Sequence, residues 1–235
     1  MPTIEFRDLH RRFGRLRVLS GVSGGAGAGE VLLVTGTNGS GKSTLLRCLA
    51  GLLAPDRGEV RMTAGVAPPR SPAAQVDSWR GRRSQRTAGV LGTLQIAGER
   101  VLETQERRRA VGYLAPDLAF YEPLTTAENL AFFARLRGVD PARGAALLDR
   151  VGLPHDRAAG ALSSGMVQRL RWAWALLHWP DVLLLDEPLA NLDPPGRKLV
   201  SQLLAEQLGR GAAAVVANPA PIDLPGSVRR VELAG

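Results

Sequence analysis

The sequence is short of the residues that staple, span or stack. Cysteine occurs once in 235 residues, as Cys48. No intrachain disulfide framework can form, a reducing compartment is the natural setting, and a lone thiol inside the apolar run LLRCLA reads as a core residue. No apolar run approaches the roughly 20 residues that cross a bilayer as a helix; VLLL, residues 182–185, is among the longest. The opening MPTIEFRDLHRRF has no apolar centre like that of a secretory signal and alternates like a strand. The expectation is a soluble chain that meets a membrane only through a partner. Aromatic residues make up 5% of the chain, and no basic stripe carries the interleaved aromatics that stack on bases. The net charge of +8 therefore reads as solvated surface arginine, with no nucleic-acid partner. Lysine is the last scarcity: of thirty basic residues only Lys42 and Lys198 are lysines.

At this length the chain can bury one sizeable α/β core with a smaller helical lobe. Residues 3–7 and 17–22 read as short strands, and GGAGAGE as a glycine-rich turn into an apolar strand at 31–35. A helix is expected at 43–53, closed by Pro55 and Gly58. GEVRM before residues 64–92 and TLQIAG after them each fit a strand, so the two either pair or one is displaced. The segment 64–92 itself, rich in Pro, Gly and Ser and bearing Arg80, Arg82, Arg83 and Arg86, reads as a flexible surface insertion. A capping box at Thr125 and Glu128 opens a helix over 125–138, followed by helices at 141–151 and from Ser163 or Ser164 to 177. Residues 181–186 read as a buried parallel strand whose carboxyl end meets a ligand. A helix at 195–208, a strand at 213–217 and a weak strand at 228–233 complete the pattern.

GTNGSGKS, residues 36–43, fits GxxxxGK[ST] between an apolar strand and a helix. Gly36, Gly39 and Gly41 let the backbone curl so that amides, with Asn38 and Ser40 between them, face phosphate oxygens. The N-terminus of the following helix, with Thr44 in its first turn, adds a favourable partial charge. Lys42 would hold the β- and γ-phosphates of ATP, and the Ser43 hydroxyl would ligate Mg²⁺. An arginine-rich chain keeps lysine here because a compact ammonium fits between phosphates better than a planar fork. In VLLLDE, Asp186 suits a direct or outer-sphere Mg²⁺ contact, and Glu187 suits polarising the attacking water.

About twenty residues before that strand stands LSSGMVQRL, residues 162–170. The order of phosphate loop, LSSGM, LLLDEP and ANLD resembles that of the ATP-binding-cassette ATPases over nearly the whole chain. The resemblance implies one α/β domain over 1–235: a P-loop NTPase core with a mixed or parallel β-sheet, an N-terminal antiparallel β subdomain, and an inserted α-helical lobe at about 117–178. It implies ATP hydrolysis by a pair of cassettes closed head to tail, so that Ser163, Ser164 and Gly165 meet the γ-phosphate held by the partner's loop. The 191–193 segment would couple the two sites, and Phe13 would stack on adenine, unless that ring belongs to the core. The implied partners are a second cassette and a transmembrane permease subunit, which place the chain on the cytoplasmic face of the membrane.

Three positions depart from the family. Pro116 stands where the family's glutamine touches Mg²⁺ and the attacking water, so that Asp117 or a backbone carbonyl substitutes, or coupling is altered. Asn218 stands where a histidine grips the γ-phosphate; it can donate a hydrogen bond but not from a cationic ring. Trp172 and Trp174 replace a small or aliphatic residue and an arginine. The lone cassette and the stretch YLAPDLAFYEPLTTAENLAFFARLRG resemble the small ATPases of bacterial exporters, first the haem exporter of cytochrome c maturation and then the ABC-2 type. The competing expectation is a regulatory cassette that binds ATP, hydrolyses it poorly and needs an intact partner cassette.

Overall fold

The computed structural model describes residue 1, residues 3–64 and residues 100–233. The expected 64–92 insertion beyond Ala64, its arginine cluster and the TLQIAG segment lie outside the described residues.

Two sheets organise the chain. The first is antiparallel, in the order β2-β1-β4-β5, built from β1 (Thr3–Phe13), β2 (Leu16–Ala26), β4 (Arg57–Ala64) and the short β5 (Arg100–Val101). The second is parallel throughout, in the order β6-β7-β8-β3-β9: β6 (Val111–Leu114), β7 (Val182–Asp186), β8 (Ala213–Ala217), β3 (Glu30–Thr35) and β9 (Ser227–Glu232). A purely parallel sheet must be covered on both faces, and the period-two alternation of its strands shows how. Val31, Leu33, Leu183 and Leu185 enter a core shared with the helices α3 (Thr126–Leu136), α4 (Pro141–Val151), α5 (Ser164–Ala175) and α6 (Pro194–Gly209). Leu32, Val34, Val182 and Leu184 enter the opposite core, beneath α1 (Lys42–Leu49) and the antiparallel sheet, with Ile4, Phe6 and Met62. Strands β7 and β8 are buried at every residue.

The helical lobe is bounded by local chemistry. Thr125 and Glu128 form the expected reciprocal capping box on α3. Asp140 caps α4, whose first residue is Pro141 and whose end is the left-handed Gly152. Ser163, rather than Ser164, is the N-cap of α5.

Three expectations change. The turn into β3 begins later than GGAGAGE suggests, because Gly24 and Gly25 belong to β2. There the need is space: a Cβ on Gly24 would stand 2.8 Å from the Phe6 ring, and one on Gly25 would stand 2.7 Å from the Ile4 carbonyl oxygen. Helix α1 stops at Leu49 instead of 53, where Gly51 turns to positive φ and the Leu52 and Leu53 amides both fall back on the Arg47 carbonyl. Helix α2 (Thr104–Ala110) has no sequence-based counterpart; it buries no residue, so no apolar period announces it, and a Glu103–Glu106 capping box starts it.

Gly25→Ala is therefore expected to lower the free energy of unfolding by roughly 1–3 kcal/mol, an overpacking penalty. Gly209→Ala, at a helical glycine with nothing within 4 Å of the added carbon, is expected to be neutral or stabilising. Urea unfolding of the two variants separates a packed strand glycine from a turn glycine, because a turn would tolerate the first change.

Candidate nucleotide and catalytic site

Strand β3 ends at Thr35, and the chain passes through residues 36–41 into α1. Gly36, Gly39 and Gly41 all have positive φ, at 147°, 88° and 98°. At Gly36 and Gly41 space matters too: a Cβ would lie 2.6 Å from the Leu233 carbonyl oxygen at the first and 2.7 Å from that of Val18 at the second. Gly39 sits at the exposed crest beside Asn38, where the conformation alone requires glycine. Helix α1 begins with Gly41 as its N-cap and no side-chain cap, so its first amides are left for a ligand. The Lys42 ammonium is buried across the loop and donates to the Gly36 and Thr37 carbonyls, both at 2.8 Å. The buried Ser40 hydroxyl has no hydrogen-bond partner among the described residues, an unmet polar group inside the loop. A curled loop, a held ammonium, free helix amides and an unmet hydroxyl together fit a polyphosphate.

The metal candidates meet beside it. The Ser43 hydroxyl lies near the Asp186 carboxylate at the end of β7, close enough to favour its charged form, and the Lys42 charge acts on that carboxylate in the same sense. Asp186 is only 3% exposed. Burial holds its carboxyl above the ordinary range, with the negative Glu187 and Asp117 adding to the shift and Ser43 and Lys42 opposing it. A divalent cation would reverse that penalty. Among the described residues no three His, Cys, Asp or Glu side chains gather around a metal position. Mg²⁺ takes most of its ligands from water and phosphate, so the Ser43 hydroxyl and the Asp186 carboxylate are the protein groups that would hold it. Tyr113 lies on the neighbouring β6, and burial, with the Asp186 charge, pushes its hydroxyl up to about 12.

Glu187, half-buried, follows Asp186 with a left-handed φ of 48°. For a residue with a Cβ this costs about 1–2 kcal/mol, so the surroundings must hold it. Its amide donates to the Ala217 carbonyl at 2.9 Å, and its own carbonyl accepts from the Gln168 side chain at 3.0 Å. The Pro188 carbonyl accepts from Gln168 at 3.1 Å and from the Trp172 indole at 2.9 Å. Trp172 thus does more than pack, whereas Trp174 lies edge-on to Phe133, with Arg137 over its ring.

The remaining candidates are placed as follows. Ser163 accepts from the Met166 amide at 3.3 Å, which fixes an exposed hydroxyl at the start of α5 next to the exposed Ser164. Gly165 lies so close to the 191–193 turn that a Cβ would stand 2.8 Å from the Asn191 carbonyl oxygen. Asn191 is itself left-handed, and Asp193 caps α6. Phe13 ends β1 and is 48% exposed, with the Arg11 guanidinium 4.9 Å from its ring centre, so it is not a core residue. The Asn218 amide nitrogen donates to the Ala220 carbonyl at 2.6 Å, within its own loop. Both groups expected to stand in for a glutamine at 116 are engaged elsewhere. Asp117 pairs with Arg47 of α1 at 2.6 Å, and the Pro116 carbonyl accepts from Arg171. The residues that sequence reasoning left without a role are Gln168, Arg171 and Arg47; the one available signal was a glutamine on the apolar face of α5.

A family model described as ABC transporter matches residues 19–190. The cytochrome c biogenesis ATP-binding export protein CcmA of Rhizobium meliloti (strain 1021) is 32% identical over 237 residues, covering 97% of this chain and 95% of that protein. The phosphonates import ATP-binding protein PhnC 1 of Rhodopseudomonas palustris (strain BisB18) is 34% identical over 214 residues, covering 85% of this chain and 68% of that protein. Nod factor export ATP-binding protein I of Burkholderia lata is 32% identical over 219 residues, covering 91% of this chain and 61% of that protein. Among solved structures, an ABC transporter ATP-binding protein from Pyrococcus furiosus superposes with a TM-score of 0.69 at 19% identity, over 97% of this chain and 96% of that one.

The raised carboxyl of Asp186 gives a signed pH prediction. Unfolding returns the group to its ordinary value of about 4. The nucleotide-free chain should therefore lose stability as pH rises from there through the higher folded value, and level off beyond. Affinity for Mg²⁺ with nucleotide should move oppositely, rising through the same window as the carboxylate ionises. Asp186→Asn is expected to flatten both curves, as read by thermal unfolding and by metal-dependent nucleotide binding between pH 4 and 8.

Proposed function

The chain belongs to the ATP-binding-cassette transporter family, and from that premise we propose that it is the ATP-hydrolysing subunit of a membrane exporter, working as one of two cassettes beneath a transmembrane permease. The observation that carries the catalytic part is the meeting of the Ser43 hydroxyl, the Lys42 charge and the Asp186 carboxylate under one glycine loop, with Glu187 next in the chain. On this reading the amides of residues 39–44 cradle the phosphates, and Lys42 exchanges its two carbonyl partners for β- and γ-phosphate oxygens. Ser43 and Asp186 hold Mg²⁺, which when bound would offset charge on the phosphate oxygens. Glu187 accepts the proton of the attacking water. Ser163, Ser164 and Gly165, exposed or half-buried at a helix start, face the loop of the second cassette, and Phe13 stacks on adenine.

Export is preferred over import because the relative that matches end to end, over 97% of this chain and 95% of itself, carries an export name. On the same ground we adopt cytochrome c maturation as the first cargo setting to test. The permease-facing surface is assigned to the 116–124 loop and α3, where Tyr121, Phe132 and Leu136 are exposed and the first two rings meet edge to face at 5.3 Å. No helix among the described residues is long and apolar enough to cross a membrane, so such a contact would be peripheral. Two observations favour the second reading, a regulatory cassette of weak turnover: the Asn218 side-chain amide is engaged by the Ala220 carbonyl, and Pro116 offers no side-chain ligand.

ATP turnover and nucleotide binding measured in parallel separate the two. If the chain is a motor, Glu187→Gln should lower turnover by about 10²-fold or more with ATP binding retained. Asn218→His should raise turnover, by up to the order of 10², if the histidine's transition-state contact is what the site lacks. Tight ATP binding without turnover in any of the three proteins would leave the regulatory reading standing.

A further inference from the structure

The loop after β6 and the turn after β7 are joined by a chain of side-chain hydrogen bonds that runs through α5. Arg171 donates from Nε to the Leu118 carbonyl at 3.1 Å, from Nη2 to the Pro116 carbonyl, and from Nη1 to Oε1 of Gln168 at 3.2 Å. Gln168, 2% exposed, donates from Nε2 to the carbonyls of Glu187 and Pro188 at 3.0 and 3.1 Å. Its orientation is not interchangeable. Reversing the amide would set its NH₂ against a guanidinium and leave two buried carbonyls facing an oxygen. Strands β6 and β7 are neighbours in the sheet, so the chain of bonds bridges two adjacent strand ends.

We propose that Arg171 and Gln168 are positioning residues that fix Glu187 and transmit the placement of the 116–118 loop to it. Three observations carry this. Glu187 occupies a left-handed conformation that costs free energy, and its carbonyl is held by Gln168 together with the local Ala190 amide while Ala217 holds its own amide. Proline at 116 offers no side-chain ligand of its own, and the guanidinium takes hold of the loop's main chain at two carbonyls. The loop's far side is tied to α1 by the Asp117–Arg47 pair, so a shift of the loop is felt at the helix that carries the phosphate loop and at Gln168 together. The assignment rests on the reading of Glu187 as the base that accepts water's proton.

The test uses the full chain with Arg171→Met, Arg171→Lys, Gln168→Met and the Arg171→Met/Gln168→Met pair, in steady-state ATP turnover and in amide hydrogen exchange without nucleotide. Arg171→Met should lower kcat about tenfold with KM for ATP within about twofold, the split expected when a base is misplaced and binding is not. Arg171→Lys should recover part of the loss, since an ammonium reaches one carbonyl but not the fork. The double variant should turn over no more slowly than Gln168→Met alone, because the two act in series. In exchange, Arg171→Met should quicken the Leu118 amide and also those of Glu187 and Ala190, which Arg171 does not touch. Faster exchange at Leu118 alone, or losses of kcat that multiply in the double variant, would overturn the proposal. Undiminished turnover in Glu187→Gln would instead refute the role of Glu187, and the exchange measurement would still decide whether the two segments are linked.

Discussion

Strand β7 is packed between two neighbours and covered on both faces, yet it must end on an ionisable group, and much of the site follows from how that carboxylate is accommodated. Every residue from Val182 to Asp186 is buried, with β6 on one side and β8 on the other. A carboxylate at the end of such a strand is a desolvation penalty that only a hydroxyl, a cation or a metal can offset. Ser43 and Lys42 supply the first two from the start of α1, which fixes how the preceding loop must sit above the sheet. The same register brings Asp186 opposite Ala217, so the Glu187 amide reaches the Ala217 carbonyl and the Asn218 amide reaches that of Val34. Three loops converge because three parallel strands end together.

What was legible in the sequence is what a single segment can encode. Gly36, Gly39 and Gly41 announce a backbone that no other residue adopts easily, and an uninterrupted VLLL run announces a strand without a solvent face. The Thr125–Glu128 box and the Asp140-Pro141 start are equally local. What stayed hidden depends on partners far along the chain. Gly24 and Gly25 look like a turn because their reason for being glycine lies in Phe6 and Ile4 across the sheet. Helix α2 buries nothing, so periodicity had nothing to report. Gln168 and Arg171 reach segments nineteen and fifty-three residues away, and no spacing rule within α5 would have paired them.

At Pro116, where the resemblance leads one to expect a glutamine, the loop is held by contacts of a different kind. With Pro116 unable to donate or ligate, the loop is held through its carbonyls by Arg171 and through Asp117 by Arg47. A planar guanidinium suits that task because its fixed fork can serve two loop carbonyls and one amide oxygen at once. An ammonium could not. The chain's preference for arginine, with lysine kept at position 42 where compactness counts, thus has a local rationale at both sites.

The two substitutions differ in kind, and this bears on how the cassette would work. On the proposed reading, the main-chain tie to Arg171 stands at 116 in place of a side-chain contact with the reacting atoms. At 218 the side-chain amide serves its own loop through the Ala220 carbonyl. On the proposed reading, such a site would keep ground-state binding through the glycine loop and Lys42 and would give up transition-state contacts near the strand ends. Turnover should then be governed by how well Glu187 is held, and its left-handed backbone makes it the residue most dependent on its supports. A partner that moves the 116–118 loop would act on that dependence directly, setting hydrolysis through a turn whose strain Gln168 and Ala217 hold from opposite sides.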